Sequence, residues 1–111
     1  MTGQQGRVFA ALADDNRRHL LEILAQTGIR TPTELAKEMP ITRQGISKHL
    51  EILEGAGLVS FQRVGRKVQY SFQPEPLNET LLWLESITRQ WDQRLNALRR
   101  YLLEEEGSST E

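Results

Sequence analysis

The chain has no cysteine among its 111 residues. That excludes disulfides and thiolate metal sites, and a reducing, cytoplasmic compartment is the expected one. No early segment carries a signal peptide's apolar run and no stretch reaches membrane-spanning length, so no membrane role is expected. Also missing are paired carboxylates in a plausible cleft, a nucleophile beside a base, and a glycine-rich phosphate loop; neither an enzyme nor a cofactor is expected. Histidine is scarce: His19 and His49 stand far apart in sequence, which gives no basis for a metal site. The length suits one small domain whose core is short of comfortable burial, so help from a second subunit is plausible.

A net charge of −1 suits a nucleic-acid binder poorly until it is resolved along the chain. Residues 43–67 carry Arg43, Lys48, Arg63, Arg66 and Lys67 against Glu51 and Glu54, a local +3. Residues 104–111 carry Glu104, Glu105, Glu106 and Glu111, a local −4, and the other segments balance.

What the chain does have is centred on Ile41 to Leu58. On a helix, Ile46, Leu50 and Leu53 line one stripe, while Arg43, Gln44, Ser47, Lys48 and Glu51 fall on the opposite arc. Thr42 is a good N-cap, so the helix starts with an electropositive end. A rod with an apolar back, a polar front and a positive start suits the major groove of double-stranded DNA. Taken alone it would equally be an ordinary amphipathic surface helix, and its flanks decide between the two.

Residues 1–6 show no apolar periodicity and are expected to be a flexible lead-in. Val8, Phe9 and Leu12 predict a short helix ending near Ala13, and Asp14 and Asp15 open a second one that Gly28 closes. Arg17 and Arg18 on that helix are read as solvated cations, with phosphate contact as the alternative. Thr31-Pro32-Thr33-Glu34 joins a threonine cap, a proline at the first helical position and a glutamate at the third, so a third helix starts there. Pro40 ends it, and with Thr42 so close behind, the pair makes a helix-turn-helix.

After Gly57 the apolar period changes from 3.6 to 2. Val64-Gly65-Arg66-Lys67 reads as a two-residue hairpin loop, pairing Val59 with Phe72, Phe61 with Tyr70 and Arg63 with Val68. Its tip carries Arg63, Arg66 and Lys67, which makes it a wing suited to phosphates or the minor groove. Beyond Pro74 and Pro76 a helix is expected from about Leu77 to Leu103, about 40 Å long. Leu77, Leu84, Trp91 and Leu98 take one heptad position, and Leu81, Thr88, Leu95 and Leu102 the other, with Ile87 widening the stripe. So long a helix exceeds what one small domain covers, so its start is expected on its own subunit and the remainder on a partner. Trp83 reads either as an interface anchor or as a core residue, and 104–111 as an acidic disordered tail.

Residues 11–73 resemble the winged-helix repressors of the ArsR type. The likeness rests on the ALADDNRRHLLEIL opening, the TPTELAKEM helix and, most specifically, ITRQGISKHLEILEGAGLV. The resemblance implies a homodimeric transcriptional regulator with the helix over 43–56 as its recognition element, and repression is that family's habit. Its metal-sensing members carry cysteines in the helix before the recognition helix, or acid and histidine ligands on the last helix. Here Thr31 to Ala36 holds no thiol and the last helix no histidine, so the metal role does not carry over.

The expected fold is mostly α with a small β-hairpin, a dimeric winged helix-turn-helix with a long C-terminal helix. The domain expected over 7–76 is followed by the dimerisation helix over 77–103 and the tail over 104–111. The expected DNA-contacting set is Thr42, Arg43, Gln44, Gly45, Ser47, Lys48, His49, Arg63, Gly65, Arg66 and Lys67. Gly45, which costs about 1 kcal/mol in a helix interior, is read as letting the backbone approach the duplex, and His49 as packed or phosphate-facing. The expected dimer contact is Val8, Phe9, Leu12, Leu84, Ile87, Trp91, Leu95, Leu98 and Leu102. The function expected is sequence-specific repression at an inverted repeat, and the alternative is a winged-helix module that binds a protein or RNA partner. No residue singles out a small-molecule effector.

Overall fold

The computed structural model describes residues 2–109, with side chains through Glu105. Helices α1 (Gly3–Leu12), α2 (Asp15–Thr27), α3 (Pro32–Glu38) and α4 (Arg43–Gly55) precede strands β1 (Val59–Val64) and β2 (Lys67–Phe72), and α5 (Glu75–Ser109) follows. The described residues therefore form the expected winged helix-turn-helix and long final helix.

Helices α1 to α4 each start where a side chain satisfies orphan amides. The Asp14 carboxylate accepts from the backbone N–H groups of Asn16 and Arg17, at 2.9 and 3.1 Å. Thr31 and Glu34 form a reciprocal capping box with proline at the first helical turn. The Thr42 hydroxyl accepts from the Gly45 amide at 3.1 Å. At the other end of α4, Gly57 takes a φ of +75°. Its amide donates to Glu54 O and that of Leu58 to Leu53 O, a Schellman closure that turns the chain into β1.

The hairpin is antiparallel with the expected register: Val59 opposite Phe72, Phe61 opposite Tyr70, Arg63 opposite Val68. Ser60 and Ser71 meet on the other face, their hydroxyls 3.3 Å apart, and Gly65 supplies the positive φ that the turn requires. Unforeseen is a one-residue bridge that joins the connection before α3 to β2: Arg30 and Tyr70 exchange two backbone bonds, of 3.0 and 2.8 Å. The Arg30 side chain meanwhile lies 3.9 and 3.7 Å from the carboxylates of Glu34 and Glu38. One residue thus ties α3 to the wing.

A single apolar cluster fills the space between these elements. Val8 and Ala11 of α1, Leu20 and Leu24 of α2, Leu35 of α3, and Ile46, Leu50 and Leu53 of α4 are all buried in it, with Leu77 at the start of α5 packed against it. Val8, expected at a dimer contact, is therefore enclosed in its own core and offers no surface to a partner. Phe9 and Leu12 are half-buried.

Three expected boundaries are corrected. The lead-in over 1–6 is helical from Gly3, because Thr2 and Gln5 form a capping box that needs no apolar periodicity. The last helix begins at Glu75, since Pro76 sits in its first turn, where its missing N–H has no partner to lose. It continues to Ser109 rather than stopping at Leu103, as Glu104 to Glu106 are good helix formers; the expected disordered tail is helical over 104–109, and its residues 110 and 111 lie outside the described ones. The chain divides after Thr80. In the second unit α5 stands as one helix with Leu84, Ile87, Trp91, Leu98 and Leu102 exposed.

Candidate nucleic-acid interface

The back of α4 is used up by the core, which leaves its front for other contacts. Ile46, Leu50 and Leu53 are fully buried, while Arg43, Gln44 and Lys48 are exposed and Ser47 is half-exposed. In the first turn of α4 the amides of Arg43 and Gln44 have no intrahelical acceptor, and with the helix dipole they make that end attractive to an anion.

Between α3, α4 and the wing runs a groove of about 580 Å³. Arg43, Ser47 and Glu51 line it from α4, Arg66 and Lys67 from the hairpin turn, and Lys37 from α3. Arg43, Ser47, Arg66 and Lys67 were expected together and the fold does bring them together; Lys37 was not foreseen. Its sequence signal was its place in the last turn of a helix packed beside the reading helix, the one that crosses the backbone in helix-turn-helix proteins. Four cations face two carboxylates in this groove, Glu34 and Glu51. The Thr31 hydroxyl and backbone N–H hold the Glu34 carboxyl below its ordinary range, helped by Arg30 and Lys67. Burial pushes the Tyr70 phenol up, reinforced by Glu54 and Glu51, so at neutral pH it is an uncharged wall of the groove.

The remaining expected residues are spread more widely. Gln44 shares a shallow hollow with Arg43 and Ser47 on the outer side of the helix. Arg63 is exposed on β1 opposite Val68 and is not among the groove residues. Gly45 has an internal reason to be glycine: a Cβ there would lie 2.6 Å from Cγ2 of Ile41, so the turn between α3 and α4 packs against its bare backbone. His49 turns away from the groove, its Nδ1 3.5 Å from Nη1 of Arg17. That arginine is no solvated cation, for its Nε donates to Ala11 O at 2.7 Å and its Nη2 to Ala10 O at 3.3 Å. Arg18 likewise donates to Leu12 O at 2.5 Å and pairs with Asp15. The signal was present: α1 ends without a C-terminal glycine, so its last carbonyls need donors from further along the chain.

The helix-turn-helix domain family profile matches residues 12–60, from the end of α1 into β1. The transcriptional repressor SdpR of Bacillus subtilis is 32% identical over 88 residues, which cover 79% of this chain and 97% of that protein. An ArsR-like transcriptional regulator from Rhodococcus sp. RHA1 superposes with a TM-score of 0.79 at 38% identity, covering 87% of this chain and 91% of that one. This chain belongs to the ArsR family of helix-turn-helix transcriptional regulators. A homodimeric winged helix-turn-helix DNA-binding domain from Mycobacterium bovis, a possible ArsR-family regulator whose solution structure is known, aligns with a TM-score of 0.63 at 26% identity. The alignment covers 81% of this chain and 83% of that one. In this winged helix-turn-helix α4 is the second helix of the motif and the β1–β2 hairpin is the wing.

Proposed function

We propose that this ArsR-family protein is a homodimeric repressor that reads an inverted-repeat operator in the cytoplasm. The observation that carries the reading is the division of α4: its apolar back is fully buried, while Arg43, Gln44, Ser47 and Lys48 stand outward beside a basic hairpin turn. Arginine recognises guanine best and glutamine adenine, each through two hydrogen bonds, so Arg43 and Gln44 lead the base contacts, with Ser47 and Lys48 alongside. Thr42 and the first-turn amides of α4 hold a phosphate, and Arg63, Arg66, Lys67 and Lys37 grip the backbone around it. A two-fold dimer presents two such helices, and half-sites about 34 Å apart match successive major grooves. Support for the dimer comes from the exposed heptad face of α5, Leu84, Ile87, Trp91, Leu95, Leu98 and Leu102; on α1, the half-buried Phe9 and Leu12 are assigned to the same contact. The M. bovis relative is itself homodimeric and the B. subtilis relative is named a repressor. Having no cysteine, the chain offers no thiolate for an inducing metal.

Replacing Gln44 and Lys48 together by alanine tests the assignment. The double variant is expected to sediment as the wild type does and to lose its preference for an enriched duplex over a scrambled one. Retained preference would show that another surface reads the sequence. Salt-sensitive binding without preference in the wild type would favour a protein- or RNA-binding module instead.

A further inference from the structure

Two contacts distant in sequence join α1 to the recognition helix. At the far end of α4 the side-chain amide of Gln4 donates to the carbonyl of Ala56. The same side chain lies over Gly57, where an added Cβ would come within 2.9 Å of Nε2 of Gln4 and 3.3 Å of Cγ of Pro76. At mid-helix the link runs through Arg17: its guanidinium takes the carbonyls of Ala10 and Ala11 from the last turn of α1 and reaches Nδ1 of His49. The first turn of α1 thus grips the end of α4, and its last turn reaches the middle. Rolling α4 about its axis or sliding it along the core breaks one of these ties or the other.

We propose that Gln4 and Arg17 are positioning residues for DNA reading, bracing α4 against α1 so that both copies in a dimer present their reading faces at one fixed pitch. This rests on the proposed function, in which α1 also meets the partner subunit through Phe9 and Leu12. Neither residue touches DNA. Their effect reaches DNA through the orientation of Arg43, Gln44 and Lys48, whose hydrogen bonds to base edges demand close alignment, whereas phosphate contacts tolerate displacement. Loosening the brace therefore lowers discrimination between sequences and leaves general affinity in place.

The test uses the full chain, the duplex that the wild type enriches from a random pool, and a scrambled duplex of equal length and composition. Arg17→Ala and Gln4→Ala are expected to remain dimeric and helical. Affinity for the scrambled duplex should change less than about twofold and the salt slope should not change, while preference for the enriched duplex falls at least tenfold for Arg17→Ala and severalfold for Gln4→Ala. Duplexes with one base pair added between half-sites should be penalised less than by the wild type. A salt slope lowered by about one would make Arg17 a phosphate contact and overturn the proposal, as would equal losses on both duplexes. If Arg17→Ala does not fold, Gln4→Ala decides, with undiminished preference counting against the brace. A wild type that prefers no duplex overturns the proposed function and this inference together; variants that discriminate as well as a discriminating wild type overturn the inference alone.

Discussion

Helices α4 and α5 are both amphipathic, but they dispose of their apolar stripes in opposite ways. In α4 the stripe residues Ile46, Leu50 and Leu53 are 0% exposed, so the helix is anchored by its own chain and its polar side is left for a ligand. In α5 the heptad residues Trp91 and Leu98 are 59% and 54% exposed, so the apolar side itself awaits cover. Water tolerates scattered apolar side chains, but a row of them along one helix face marks an interaction surface. The same pattern of residues thus has two uses, a foundation in one helix and, in the dimer proposed above, a docking face in the other. Only the depth of burial tells them apart.

Breaking the α5 face should have the largest effect. Charged residues in place of Trp91 and Leu95 are expected to convert a sedimenting dimer into monomers or unfolded chains, and a variant that sediments as an unaltered dimer would move the subunit contact elsewhere. The next test sets the two stripes against each other. Leu50→Ala should cost about 2–5 kcal/mol in chemical denaturation, because it opens a cavity in a closed core. Leu84→Ala should cost less, and its loss should grow with protein concentration as dimer forms; equal, concentration-independent costs would erase the distinction drawn here.

A smaller effect is expected on the polar side. Lys37→Ala should reduce the slope of log affinity against log salt by about one while leaving the choice of sequence alone. A change in preferred sequence would place Lys37 at the bases instead. The smallest concerns the cap beneath the groove. Glu34 has its carboxyl held low in the folded chain, chiefly by the Thr31 hydroxyl. Its contribution to stability is therefore present above the ordinary carboxylate pKa and is lost as pH falls through the lower, folded value. Melting of the wild type and of Glu34→Gln should converge as the solution is acidified below about pH 4, and a gap that persists in acid would mean that the cap does not depend on the carboxylate's charge.

How far the chain could be read before its fold was known follows from the range of each interaction. The α3 capping box, the start of α4, the Gly57 closure and the hairpin register all depend on residues a few positions apart or on strict alternation, and each was legible. Thr2 and Gln5 were equally local, but apolar periodicity was the wrong signal for a cap. Out of reach were the contacts that only the fold creates: the Arg30–Tyr70 bridge, Arg17 against His49, and Gln4 on Ala56. The same holds for the site. The side chains on the front of α4 follow from helical geometry, whereas the inward turn of His49, the internal reason for Gly45 and the arrival of Lys37 at the groove depend on how neighbouring elements pack.

Selection of bound duplexes from a random DNA pool tests the central claim most directly, because one experiment reports binding, symmetry and spacing. Two copies of α4 presented by a dimer should enrich an inverted repeat whose half-sites lie about one helical turn apart, roughly 10 base pairs. A pool that emerges without a shared sequence, or with a single unpaired site, would contradict the account.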